Sequence, residues 1–122
     1  PNSLEPVDLE FDLQRRQILK YLIKAQKLCP NDTNLNFNLG FAYYQFGNYI
    51  EAEKYLKRAV IKNDINDDIN ADWLNLLAWI MIKNGSNPEQ AIKYAKRALK
   101  QKTSSLAIQD TIIHAYIAAG KL

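Results

Sequence analysis

Residues 39–59 read LGFAYYQFGNYIEAEKYLKRA, and their spacing decides the fold. Leu39-Gly40 is followed by an aromatic at Tyr43 and a second glycine at Gly47. Ala52, Leu56 and Ala59 then recur at steps of four and three. Such steps put residues on one face of an α-helix, and the glycine between the two runs marks a helix end. Small residues at Gly40, Ala52 and Ala59 let two antiparallel helices approach closely. The stretch therefore reads as a helix hairpin.

The same ladder returns in residues 77–98, LAWIMIKNGSNPEQAIKYAKRA, as Leu77-Ala78, Met81, Gly85, Ala91, Ala95 and Ala98. Its first half returns as Ile112-Ile113, Tyr116 and Gly120, and its second half stands alone in front as Ile18, Leu22 and Ala25. The step from Ala25 to Leu39 equals the step from Ala98 to Ile112. Small insertions at Ser86-Asn87-Pro88 and near Lys62–Asn70 interrupt a period that is otherwise about 34 residues. Helices are expected over about 8–28, 33–46, 49–62, 70–84, 88–101 and 105–119. Asn87 should cap the fifth, with Pro88 in its first turn. Residues 62–70, rich in Asp and Asn, read as a turn or a helix-end extension.

This spacing resembles the tetratricopeptide repeat, a helix–turn–helix unit of about 34 residues. Leu39, Gly40, Tyr43, Ala52, Leu56 and Ala59 stand at its signature positions. Asn36 occupies the place of its usual aromatic, and the terminal Pro is kept only at Pro30. Leu77-Ala78-Trp79, Asn87-Pro88-Glu89 and Asp110-Thr111 resemble a variant common in bacterial repeat proteins, which hints at a bacterial source. The resemblance implies an all-α fold, a solenoid of antiparallel helix pairs with about six helices. Residues 1–7 form a loose lead-in and 8–122 the repeat domain. Within it 8–32 is a partial repeat, 33–66 and 67–104 are repeats, and 105–122 is a partial repeat.

Composition bounds the rest. A chain of 122 residues forms one domain, with 48% hydrophobic and 24% charged residues, as in soluble proteins. No apolar run nears the roughly 18 residues of a membrane span. Pro1 in place of Met suggests a piece cut from a larger protein, so the cytoplasm is only the default compartment. The net charge of +3 gathers in residues 71–122, where 7 basic and 3 acidic residues give +4. Lys93, Lys96, Arg97 and Lys100 fall on the helix face away from Ala91, Ala95 and Ala98, a solvated outer face rather than a nucleic-acid surface. Cys29, the single cysteine, is expected to be a buried structural thiol.

No catalytic constellation is legible. The single His and the single Cys lie far apart in the chain and give no metal spacing, and the glycines are too isolated to cradle a phosphate. Asp67-Asp68 and Glu51/Glu53 read as solvated carboxylates. The chain is expected to be no enzyme and to hold no cofactor or metal. Its partner is expected to be a protein or peptide.

In the resembled family the concave face, lined by the first helix of each pair, is the usual binding surface. Here that lining comprises Asn34, Phe37, Phe41, Tyr44 and Gln45, then Asp72, Asn75, Trp79, Ile82 and Lys83. It ends with Ala107, Asp110, His114, Ile117 and Ala118. Phe37, Phe41, Tyr44 and Trp79 make this groove apolar, with Phe37, Phe41 and Trp79 as anchors. Asn34, Asn38 and Asn75 offer amides to an extended peptide, and His114 a group for a carboxylate or a pH response. A subset of the family grips acidic chaperone tails with Lys, Arg and Asn. Asn38 matches that clamp, but Phe37, Phe41, Asp72 and Leu76 stand where its other residues would be. An apolar or mixed peptide fits better. The alternative is that these aromatics pack between repeats and that the chain is structural, associating with neighbouring repeats or with another copy through helix 6. Its Ile112, Ile113, Tyr116 and Ile117 would otherwise lack cover.

Overall fold

A computed structural model describes residues 6–61 and 69–121, which hold six α-helices and no strand. These are α1 (Pro6–Leu28), α2 (Thr33–Gln45), α3 (Tyr49–Ile61), α4 (Ala71–Asn84), α5 (Pro88–Gln101) and α6 (Leu106–Ala118). Consecutive helices pack on one another, and α4 also meets α6. The chain is thus an all-α helical repeat built from pairs α2–α3 and α4–α5, flanked by α1 and α6.

Local chemistry sets the boundaries. Asp32, Asn70, Asn87 and Ser105 accept hydrogen bonds from the backbone N–H of Leu35, Asp72, Gln90 and Ile108, capping α2, α4, α5 and α6. Pro88 opens α5, where its missing N–H costs nothing. Gly85 ends α4 at φ 66°, a left-handed conformation that glycine adopts without strain.

The small residues of the ladder do what their spacing predicts. Ala52, Ala59, Ala78, Ala91, Ala95 and Ala98 are fully buried, beside Leu56, Leu74, Leu77, Ile80 and Met81. A Cβ on Gly40 would lie 2.8 Å from Leu56 Cγ and 3.1 Å from the Leu56 backbone nitrogen. Only glycine allows α2 to sit this close to α3. Lys93, Lys96 and Lys100 are exposed, as expected for an outer face.

Three expectations change. α1 begins at Pro6, not at residue 8, so residues 6 and 7 of the expected lead-in are helical. Residues 1–5, most of the 62–70 turn and Asp67-Asp68 lie outside the described residues; of that turn, Ile69 is buried and Asn70 caps α4. Cys29 is exposed, because it sits one residue past α1 at the outer edge of the α1–α2 turn. Glu53 is not a solvated carboxylate. Its side chain is only 13% exposed and accepts hydrogen bonds from Asn84 Nδ2 (2.9 Å) and Ser86 Oγ, with Lys57 Nζ at 2.8 Å. Asn84 also donates to the Tyr49 carbonyl, so this network ties the two helix pairs together.

Burial alone would raise the Glu53 pKa, but the donors Asn84, Lys57 and Ser86 outweigh it and the net shift is downward. A carboxyl with a depressed folded pKa contributes stability above its unfolded pKa of about 4.3. That contribution is lost as pH falls through the lower folded value. Glu53→Gln is therefore expected to cost about 1–3 kcal/mol at neutral pH. Urea midpoints measured from pH 7 to pH 3 should fall less steeply for the variant than for the parent chain. Parallel acid limbs would remove Glu53 as their source.

Asn36 stands where an aromatic is usual in such repeats, and its replacement chemistry is polar. It is 2% exposed, accepts from Gln26 Nε2 (3.4 Å) and donates to the Pro30 carbonyl (3.0 Å). A buried amide is tolerated only when bonded in this way. Gln26 and Asn36 thereby join α1 to α2.

Candidate functional site

The repeat ladder places Phe41, Trp79 and His114 at one position of three successive first helices, α2, α4 and α6. Each directly follows the ladder residue Gly40, Ala78 or Ile113 and so lies about 100° around its helix from it. Phe41 is 39% exposed, Trp79 is half-buried and His114 is exposed. Trp79 meets His114 edge-on, with ring centroids 5.9 Å apart. Lys83, one turn on, holds its ammonium 4.6 Å from the Trp79 ring centroid, a cation–π contact. Asp110 Oδ1 lies 3.6 Å from His114 Nε2.

The α2 aromatics form a second group. Phe37 and Phe41 stack at 6.0 Å, and Phe41 meets Tyr44 at 5.8 Å. Tyr44 continues to Tyr49 at the start of α3. Phe37 also stacks face to face on Trp73 of α4, with centroids 4.2 Å apart and planes 8° from parallel. Phe37 thus gives one ring face to packing between repeats, while Phe41 remains the more open ring.

The amides are placed differently from one another. Asn34 and Asn38 are exposed on α2. Asn75 is half-buried, and its Oδ1 is enclosed with no hydrogen-bond partner. Tyr44, like Phe37, is half-buried. Among the eight residues singled out from the sequence, direct ring contacts join Phe37, Phe41 and Tyr44, and separately Trp79 and His114.

Two participants are not legible as such. Trp73 lies outside the lining read from the sequence, yet it backs Phe37; the signal is its position four residues before Leu77 on α4. Lys83 falls within the lining, but its place above Trp79 follows from the i to i+4 step along α4. Among the described residues no three His, Cys, Asp or Glu side chains gather in a way that could hold a metal ion. No described helix is long and apolar enough to cross a membrane.

These helices thus present one exposed aromatic ring, Phe41, half-buried rings at Phe37, Tyr44 and Trp79, exposed amides at Asn34 and Asn38, and the Lys83 ammonium. The tetratricopeptide repeat family model matches residues 37–105, and no curated protein matches the chain.

Proposed function

Because the chain belongs to the tetratricopeptide repeat family, whose members are in general non-enzymatic scaffolds for protein–protein interaction, we propose that it binds a protein segment along the face of α2, α4 and α6. The observation that carries this reading is Phe41, a large aromatic left 39% exposed beside Tyr44 and in ladder register with Trp79. Burying such rings against a partner yields roughly 1.5–3 kcal/mol each. Phe37, Phe41, Tyr44 and Trp79 take the partner's apolar side chains. Asn34 and Asn38 take its backbone, Asn75 contributes only through its amide N–H because its Oδ1 is enclosed, and His114 lies at the far end. The occupant is an extended peptide of apolar or mixed character, because no basic clamp lines this face.

Selection from a displayed random-peptide library, with this chain as target, tests the proposal. Selected peptides should be rich in apolar residues, and the Phe41→Ala/Trp79→Ala variant should bind them at least about tenfold more weakly, a loss of about 1.4 kcal/mol. Equal affinity for both chains would remove the groove.

One observation favours a structural role beside this one. On α6, Leu106, Ile113 and Ile117 are 80%, 50% and 56% exposed. In this second reading α6 packs against a neighbouring repeat or another copy. Ile113 stands where Gly40 stands in α2, so a helix covering it sits further out than α3 sits on α2.

A further inference from the structure

α1 differs from the other helices in length and in its open face. It has 23 residues, against 13 in α3 and 14 in α5. By the repeat offset Tyr49, where α3 starts, corresponds to Arg15, so α1 runs two and a half turns further toward its N-terminus. Asp12, Leu19, Leu22, Ile23 and Ala25 are half-buried, and Gln26 is buried and bonds to α2. Another side carries Phe11, Gln14, Ile18, Tyr21, Ala25 and Leu28, spaced alternately three and four residues apart. That spacing fits one seam of a two-stranded coiled coil, while Leu9 and Leu13, 49% and 57% exposed, lie off it. Phe11, Ile18, Tyr21 and Leu28 on it are 56%, 55%, 58% and 83% exposed.

A helix packed as α2 packs on α3 does not fit this seam. Close approach there sets Gly40 against Leu56 of α3, one turn from the fully buried Ala52. Ile18 occupies the position of Ala52, and its branched Cβ holds a neighbour further away. A first helix as short as α2 or α4 would also leave Phe11 uncovered. The seam calls for a helix as long as α1, about 34 Å, at coiled-coil spacing.

Charge says which helix and which direction. α1 carries its acids early (Asp8, Glu10, Asp12) and its bases after them (Arg15, Arg16, Lys20, Lys24, Lys27), with Asp12 already paired to Arg16 within the helix. Parallel pairing would set like charges together, whereas antiparallel pairing sets each acidic end on a basic one. We propose that two copies of this chain associate through α1, antiparallel, with Phe11 against Tyr21 of the second copy and Gln14 beside Ile18. In that register Glu10 faces Lys24 of the other copy at the edge of the seam. The contact lies apart from the face of α2, α4 and α6, so it leaves that groove open and doubles it.

Sedimentation of the 122-residue chain across micromolar to submillimolar concentration tests this. A monomer–dimer equilibrium is expected. Ile18→Glu, a change at an exposed helical site, should give monomer with an unchanged circular dichroism spectrum, while Ile113→Glu on α6 should leave the dimer intact. Glu10→Lys should raise the dissociation constant about tenfold, and adding Lys24→Glu should restore it; this reciprocal pair keeps the test open if Ile18→Glu unfolds. A nitroxide on Cys29, exposed and the only cysteine, reports direction. Its distance to the label on the second copy should be about 40 Å, against about 15 Å for a parallel pair. A monomer at every concentration, a dimer that survives Ile18→Glu, or the short distance would each overturn the proposal.

Discussion

Leu56→Ala is expected to lower the unfolding free energy by about 2–5 kcal/mol. Leu56 is fully buried on α3, within one core that also holds Leu74, Leu77 and Ala91. Truncation removes its apolar contacts and leaves a cavity that α2 cannot fill, since Gly40 presents no side chain there. Urea unfolding followed by circular dichroism measures the loss. In a repeat array each unit leans mainly on its neighbours. Amide exchange should therefore accelerate more in α2 and α3 than in α5 and α6. A loss below about 1 kcal/mol would mean that the α2–α3 contact relaxes to close the cavity.

Gly40→Ala sets two effects against each other. Alanine in a helix interior is favoured over glycine by roughly 0.5–1 kcal/mol. Its Cβ, however, would lie 2.8 Å from Leu56 Cγ and 3.1 Å from the Leu56 backbone nitrogen. Neither atom is the free end of a flexible chain, so α2 must move off α3. Overpacking of this kind costs about 1–3 kcal/mol, and the clash is expected to win. The two substitutions also test one another. In the Leu56→Ala background the new methyl enters vacated space, and Gly40→Ala should cost about 1 kcal/mol less than in the parent chain. Equal costs in both backgrounds would show that backbone contact, not the Leu56 side chain, limits the approach.

How far these features can be read from the sequence differs by residue. The hairpin at 39–59 is legible because Gly40, Ala52 and Ala59 are small for one reason, helix proximity, and small residues recur at 78, 91 and 98. Boundaries marked by Gly85 and Asn87-Pro88 are legible because those residues change the backbone locally. The start of α1 is legible to within two residues, since helical spacing carries the expected helix back to residue 8 although residues 6–14 have no counterpart in the ladder. Cys29 misleads because thiols are usually buried, whereas the turn after α1 turns this one outward. Glu53 escapes notice because its donors, Asn84 and Ser86, lie 31 and 33 residues away and meet it only when the pairs stack. For the candidate groove, shared ladder position aligns Phe41, Trp79 and His114 in advance. The stacking of Phe37 on Trp73 depends on how α2 lies beside α4, which spacing within one helix cannot encode.

Small residues let the helices of α2–α3 and α4–α5 approach closely. Phe41, Trp79 and His114 share one position of the ladder, with Lys83 over the indole. Stability and the proposed recognition thus draw on neighbouring residues of one helix: Gly40 faces inward to α3, and Phe41, one residue on, is exposed. Changes at Phe41 should cost far less stability than changes at Gly40, since a ring 39% exposed has little core to lose.

Recognition through the groove is best tested by comparing two baits in an extract of the source cells, read by mass spectrometry. One bait is this chain; the other carries Phe41→Ala and Trp79→Ala and is verified as folded by circular dichroism. A protein retained by the first bait and lost from the second is expected. Capture of the same proteins by both, or of none by either, would contradict groove binding and assign these aromatics to packing between repeats.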